Sequence, residues 1–108
     1  MSLAPELANV AKVWVEYWRH ELETGQLPNA EGSAVVDRLV RDEPELGWVA
    51  ILAILEIIDA TPSSRLFQVL AAGPLEDLLT HHGEALLERV ESEAKRNFRF
   101  NLLLGGVW

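Results

Sequence analysis

The chain has 108 residues, a formal net charge of −8, 49% hydrophobic residues and no cysteine. This length fits a single domain over residues 1–108, and the hydrophobic content is sufficient for one core. The lack of cysteine excludes disulfides, thiolate zinc sites and cysteine nucleophiles, and it favours a cytoplasmic protein.

The negative charge is concentrated in the first part of the chain. Residues 1–64 hold 11 acidic and 4 basic side chains, whereas residues 65–108 hold 6 and 5. An acidic surface repels phosphate backbones, so we expect no nucleic-acid partner. Solubility is the simplest explanation of the charge itself. Residues 1–3 are typical of a vector-derived extension and carry no weight.

The first predicted helix covers about residues 5–23. Its apolar side chains recur at steps of three and four residues and form one stripe, made of Leu7, Val10, Ala11, Trp14, Trp18 and Leu22. Pro5 suits the first helical turn, and Gly25 supplies the stop in the left-handed conformation. The stretch that follows, residues 25–33, is rich in helix breakers and predicts a loop.

Two further helices are predicted after this loop. The second covers about residues 33–42, with Ser33 as its N-cap. The third covers residues 44–59, opens at Pro44 and is apolar nearly all round, so we expect it at the centre of the fold. Its apolar run, residues 46–58, is shorter than the roughly 20 residues that span a bilayer, so we expect no membrane partner.

Helix-breaking residues predict four short helices in the second half, over residues 61–73, 74–83, 84–97 and 98–104. Thr61 is the predicted N-cap of the first of these helices, and Pro62 is its first helical residue. Gly73 and Gly83 are expected to end the first two helices, and Gly105 the last. No strand signal of comparable strength exists, so the predicted fold class is all-α.

Short helices joined by brief turns favour a compact right-handed stack of antiparallel helix pairs. The segment EPELGWVAILAILEI, residues 43–57, resembles the second helix of a HEAT-type repeat. About two such pairs suit the length, and the first helix and the C-terminal segment are expected to cap this HEAT-like stack. An irregular helical bundle is the alternative.

The final segment, NLLLGGVW, is apolar where a flexible tail is normally polar. We interpret Trp108 as a side chain that folds back onto the core, because an indole offers a large apolar area for tethering a terminus. The competing interpretation is that Trp108 projects into a partner subunit.

A recognisable pattern is formed by the stretch GPLEDLL at residues 73–79, by Gly83 and by the terminal Val107-Trp108. With this pattern, residues 47–108 resemble a family of small bacterial all-helical domains of unknown function. The resemblance implies an all-helical fold. It implies no activity, substrate, cofactor or catalytic residue.

Acidic and histidine side chains cluster in the sequence near residue 80. Asp77 and His81 are four residues apart on one helical face, a spacing that can hold a metal, and His82 and Glu84 lie close by. Helix electrostatics explains the same residues without a ligand, since acidic groups favour the start of a helix and histidines its end. We therefore expect no metal and no cofactor.

The segment KRNFRF interleaves cations with two phenylalanines, a pattern that is also found on single-strand-binding surfaces. Three cations on an acidic chain are weak support for that function. We expect Arg96 and Arg99 to pair instead with Glu76, Asp77 or Glu93.

The sequence contains no nucleophile elbow and no phosphate-cradling glycine loop. We expect a non-enzymatic helical domain that binds another protein, or a second copy of itself as a homodimer. The alternative is a small enzyme or a ligand- or metal-binding domain that uses Asp77, His81 and His82. The expected partner or ligand surface comprises Glu76, Asp77, His81, His82, Arg99 and Trp108.

Overall fold

A computed structural model describes residues 5–25, 31–61 and 63–106, and most of these residues are helical. The helices are α1 (Pro5–Thr24), α2 (Glu31–Asp42), α3 (Pro44–Ile57), α4 (Arg65–Leu70), α5 (Glu76–Arg96) and α6 (Phe98–Leu104). A π-helical turn, Ala71–Leu75, joins α4 to α5. No strand occurs among the described residues, so the all-α prediction is confirmed.

α1 forms where the sequence predicts it. The helix is followed by Gly25, whose φ of +72° confirms the predicted left-handed stop. Ala11, Trp14 and Val15 are each at most 2% exposed, and the helix packs mainly against α2 and α3. The predicted apolar stripe therefore covers one side of the core.

α2 begins earlier than predicted. It starts at Glu31, so Ser33 lies inside the helix and the prediction that it is the N-cap is wrong. Val36 and Val40 of this helix are fully buried. Once that apolar face is fixed, extending a helix by a residue costs little, and Gly32 does not stop it.

α3 is buried at the centre of the fold, as its composition predicts. Seven of its residues are buried, namely Gly47, Trp48, Ala50, Ile51, Ala53, Ile54 and Leu55. Glu43 alone separates α3 from α2: its N–H donates to the Leu39 carbonyl at 2.8 Å, and its carbonyl accepts from the Gly47 N–H at 2.9 Å. The helix ends at Ile57 because Ile58 is extended, with φ −92° and ψ 164°.

The cap of α4 is not the predicted one. Ser64 is the N-cap, and its hydroxyl accepts from the Phe67 N–H at 3.3 Å. Thr61 instead bonds through its hydroxyl to Ser63. Serine and threonine both cap helices, so local sequence does not choose between them. The burial of Phe67, which is 2% exposed, places the start of the helix at Ser64. Pro62 lies outside the described residues.

The predicted helix end at Gly73 is wrong. Residues 65–96 follow one continuous helical path, and Gly73 and Pro74 lie in its π turn. There the N–H of Glu76 donates to the carbonyl of Ala71, five residues earlier. Proline lacks an N–H and its ring crowds the preceding turn of an α-helix, and a wider π turn relieves both problems.

The predicted helix end at Gly83 is also wrong, because α5 runs through this residue. A glycine inside a helix costs only about 1 kcal/mol relative to alanine. Leu78 and Leu86, at 0% and 3% exposure, anchor α5 in the core on both sides of Gly83. Their burial outweighs the local cost, since each buried leucine stabilises by about 1.5–3 kcal/mol.

α6 closes another side of the core. Phe100 and Leu103 are fully buried, and the Phe100 ring meets Trp48 edge-on with 5.4 Å between centroids. The helix stops at Gly105, as predicted, with the Gly105 N–H on the Asn101 carbonyl at 3.2 Å. Trp108 lies outside the described residues, so its docking onto the core stays a prediction.

The HEAT-like stack also stays a prediction. α1, α2 and α3 pack on one another, and α5 contacts α2, α3 and α6. One continuous helix over residues 65–96 replaces three of the short helices on which the stack depends. Within the described parts of the chain, no helix is both long and apolar enough to cross a bilayer.

Candidate functional site

Glu76 and Asp77 lie in the first turn of α5, directly after the π turn. Glu76 is exposed and Asp77 is partly buried. The sequence predicts that Glu76 and Asp77 face the free N-terminus of a helix. They do not, because the helical path continues back through the π turn. The Glu76 N–H is already bonded to Ala71, so it does not form part of an open, positive helix end.

His81 and His82 each bind a backbone carbonyl. His81 Nδ1 lies 2.8 Å from the carbonyl oxygen of Asp77, and His82 Nε2 lies 2.7 Å from that of Arg41. A carbonyl oxygen only accepts, so each of these ring nitrogens carries a hydrogen and donates it. A nitrogen that donates in this way has no lone pair for a metal. The contacts therefore compete with metal binding at these two atoms.

His82 does meet a helix C-terminus, but not that of its own helix. α5 continues to Arg96, whereas Arg41 lies in the last turn of α2. The last carbonyls of a helix lack partners within it, and a donor from another element can satisfy them. His82 supplies such a donor and thereby ties α5 to the end of α2.

The acidic and histidine groups do not form a donor cluster. Among the residues that the structure describes, no three histidine or carboxylate groups are arranged to hold a metal ion. Asp77 meets His81 through its backbone rather than its carboxylate, and Glu84 is exposed. Asp77, His81 and His82 are therefore not brought together as a set of side-chain ligands.

Arg99 lies far from the histidines. It donates to the carbonyl of Ile58, just after the C-terminal end of α3, at 2.9 Å. His82 instead bonds Arg41, which precedes the N-terminal end of α3. The two ends of α3 are about 20 Å apart at 1.5 Å per residue. His82 and Arg99 of the predicted partner surface therefore lie at opposite ends of α3, and its member Trp108 lies outside the described residues. A common role for these residues stays a prediction.

Glu93 is a buried carboxylate, whereas its sequence pattern indicates only a partner for Arg96 or Arg99. The residue is 6% exposed and is the one buried charged residue in the described part of the chain. One of its oxygens accepts from two nitrogens of Arg96, at 2.7 and 3.0 Å, and the other accepts from Asn97 Nδ2 at 2.8 Å. Three charge-assisted hydrogen bonds thus satisfy the buried group.

The same contacts fix the charge of Glu93 and the turn that follows. Burial by itself raises the pKa of this carboxyl, but the hydrogen bonds from Asn97 and Arg96 and the Arg96 charge bring it below its ordinary value of 4.5. Glu93 is therefore ionised at neutral pH. Asn97 is also the N-cap of α6, because its Oδ1 accepts from the Phe100 N–H at 3.2 Å. Glu93 thus holds the residue that links α5 to α6.

This turn presents the most exposed large apolar side chain of the described residues. Phe98, the first residue of α6, is 73% exposed. Three exposed cations lie beside it in the chain. We refer to Lys95, Arg96, Phe98 and Arg99 as the Phe98 corner. The predicted pairing with Glu93 is confirmed for Arg96, whereas Arg99 donates to a backbone carbonyl instead.

Comparison with known proteins identifies a family whose function is not known. The profile of a family of unknown function, DUF6869, matches residues 20–108, from the last turn of α1 onward. The match extends the resemblance noted from residue 47 back to residue 20. No curated protein and no solved structure matches the chain. With most of its length matched, the chain belongs to DUF6869, a family of unknown function.

Proposed function

We propose that this chain is a non-enzymatic, cytoplasmic helical domain that binds another protein through the Phe98 corner. The exposure of Phe98 carries the proposal. Aromatic side chains and arginines are common anchors of protein interfaces, because they bury a large area once a partner covers them. A phenylalanine that is 73% exposed gains that area only from a partner. The cytoplasmic location rests on the sequence, which contains no cysteine.

Hydrogen bonds hold the corner in place without a partner. Asn97 bonds Glu93 on one side and caps α6 on the other. Arg99 donates to Ile58 and so attaches the start of α6 to the end of α3. Because the backbone around Phe98 is already ordered, binding there loses little conformational entropy. An exposed aromatic side chain on an ordered backbone supports a role in recognition.

The charge of the corner supports an acidic partner. Three cations lie within five residues, and only Arg96 among them has a carboxylate partner in the described chain. The protein as a whole carries a formal charge of −8, so an acidic molecule is repelled from most of its surface. An apolar pocket lined by aspartate or glutamate therefore complements this corner in both shape and charge.

Comparative capture from a cell lysate tests the proposal. The full chain is immobilised, and the proteins retained by wild type, Phe98→Ala and Lys95→Glu are identified by mass spectrometry. We expect both variants to lose an acidic protein that the wild type retains, and added salt to weaken the same capture. Leu87→Ala is the matched control, because Leu87 is another exposed apolar residue, at 55%, eleven residues earlier.

Both corner variants replace exposed side chains, so we expect them to keep the wild-type melting temperature. That measurement separates loss of binding from loss of folding. An identical set of retained proteins for wild type, Phe98→Ala and Lys95→Glu would overturn the proposal. So would a partner that only Leu87→Ala loses.

A further inference from the structure

A shallow groove of about 390 Å³ runs between α1 and α3, on helices that do not contribute the Phe98 corner. It is lined by Ala8, Ala11, Lys12, Ala53, Glu56 and Ile57. The alanines Ala11 and Ala53 are buried, at 0% and 5% exposure. Because their side chains are small, another side chain can approach both helix backbones closely. We call this feature the α1–α3 groove.

The same groove also carries an apolar projection and both signs of charge. Ile57 is aliphatic yet 46% exposed. Lys12 on α1 and Glu56 on α3 are exposed, and within the described chain neither takes part in an ion pair. One surface of the described chain therefore carries the alanine hollow, the projecting Ile57 side chain that can fill such a hollow, and the two opposite charges of Lys12 and Glu56. Such a surface is complementary to itself.

We infer that two copies of this chain pair through the α1–α3 groove about a two-fold axis. A two-fold interface uses the same patch on both copies, so a residue i that meets residue j of the other copy is matched by j meeting i. Ile57 of each copy then enters the alanine hollow of the other. Lys12 of each copy faces Glu56 of the other.

The size and charge of this surface make the dimer weak. Stable interfaces bury about 800 Å² on each partner, and smaller ones belong to transient complexes. A formal charge of −8 on each copy also opposes association. The pairing is therefore expected to depend on concentration. It does not rest on the proposed function of the Phe98 corner, and either can fail alone.

Sedimentation equilibrium of the full chain, up to about 1 mM, tests the inference. We expect wild type to show a reversible monomer–dimer equilibrium. Lys12→Glu and Glu56→Lys should each weaken dimerisation about tenfold or more, because each substitution creates two like-charged pairs at the interface. A tenfold change corresponds to about 1.4 kcal/mol. Ile57→Arg should abolish dimerisation, because it places a charge in the apolar hollow.

An equimolar mixture of Lys12→Glu and Glu56→Lys gives the sharpest result. In a two-fold pair, both glutamates of the first variant face both lysines of the second, so we expect association at least as strong as that of wild type. Overall charge cannot produce this recovery, because each substitution changes the formal charge of −8 by two units and both variants stay negative. The altered side chains are exposed, so thermal melting should confirm that each variant is folded.

Three outcomes would overturn the inference. The first is a wild type that stays monomeric over the whole concentration range. The second is a mixture that associates no better than the separate variants. The third is a dimer that Phe98→Ala weakens as much as Ile57→Arg does, since this result places the interface at the Phe98 corner. A dimer unaffected by Phe98→Ala, together with unchanged lysate capture by that variant, retains the dimer and rejects only the proposed function.

Discussion

Gly47 of α3 lies against the backbone of Val40 in α2, so closely that a Cβ at position 47 would stand 2.8 Å from the Val40 Cα. The same Cβ would lie 3.0 Å from the Val40 nitrogen and 3.1 Å from the Leu39 oxygen. Backbone atoms cannot turn aside as a side chain can. We expect Gly47→Ala to lower the free energy of unfolding by about 2–3 kcal/mol, the upper part of the range for overpacked cores. Urea unfolding monitored by circular dichroism measures it.

Gly83→Ala is the matched control for this prediction. Position 83 lies inside α5, where the nearest heavy atom to a new Cβ is the Leu79 Cβ at an ordinary 3.8 Å. Alanine favours the helix over glycine, so we expect an increase of about 0.5–1 kcal/mol. Equal stability changes of the same sign in Gly47→Ala and Gly83→Ala would show that the contact with Val40 is not the cause.

The buried carboxylate of Glu93 should stabilise the fold through its charge. We expect Glu93→Gln to lower the free energy of unfolding at pH 7 by about 1–2 kcal/mol, because hydrogen bonds to a charged group are replaced by weaker neutral ones. Glu91→Gln removes an exposed carboxylate two residues earlier and should change stability by less than about 0.5 kcal/mol. Chemical denaturation of all three proteins in the same buffer provides the comparison.

The effect of Glu93 should also depend on pH in a defined direction. Its pKa in the folded state is below the ordinary 4.5, so the unfolded chain takes up the proton first as pH falls. The stabilisation is therefore complete above about pH 4.5 and is lost as pH falls through the lower folded value. The stability gap between wild type and Glu93→Gln should narrow in that acidic range. A gap that is the same at pH 7 and pH 3.5 would contradict this account.

His82 should contribute more to stability than its neighbour His81. His82 bonds the Arg41 carbonyl of another helix, whereas His81 bonds Asp77 one turn earlier in the same helix. We expect His82→Ala to cost about 1 kcal/mol and His81→Ala clearly less. Both substitutions replace histidine by alanine inside α5 and so bring the same gain in helix propensity. The difference between their unfolding free energies therefore measures the contact between α5 and α2. Thermal unfolding of both variants measures it, and a larger loss in His81→Ala would refute it.

Ser64, rather than Thr61, should behave as the cap of α4. Ser64→Ala removes the acceptor of the Phe67 N–H and should cost about 1 kcal/mol of unfolding free energy. Thr61→Ala removes an exposed hydroxyl whose contact is with Ser63, and should cost less than about 0.5 kcal/mol. Differential scanning calorimetry distinguishes the two. A reversed order would place the start of the helix where the sequence predicts it.

Local signals predict α1 and α3 well, because several of them agree in each of these helices. In α1 the apolar stripe and Gly25 predict the same helix end. In α3 Pro44 and the continuous apolar run predict the same helix start. Gly73 and Gly83 mislead, because the cost of glycine in a helix is local and small. The packing that outweighs it involves other helices, and no single window of sequence shows it.

The candidate site is less predictable for the same reason. His82 and Arg99 each bond a carbonyl 41 residues away, a distance that no helical spacing encodes. The pairing of Glu93 with Arg96 is predictable from the spacing, but the burial of Glu93 is not, because carboxylates are rarely buried. Phe98 directly follows the capping Asn97, but this position does not decide its exposure, because Pro44 at the same position of α3 is partly buried.

The π turn at Ala71–Leu75 holds one more residue than an ordinary α-helical turn. It therefore changes the direction in which later side chains point relative to earlier ones. In an unbroken α-helix, Phe67 and Val90 would point about 140° apart around the axis, at 100° per residue. The wider turn takes up one of the 23 residue steps from Phe67 to Val90 without adding its 100° of rotation, so the angle between the two side chains is about 40°. Both side chains are in fact buried, at 2% and 7% exposure. Deleting one residue of this turn would therefore restore ordinary α-helical spacing and keep both halves of the helix facing the core, whereas making the turn α-helical at constant length would rotate the second half away.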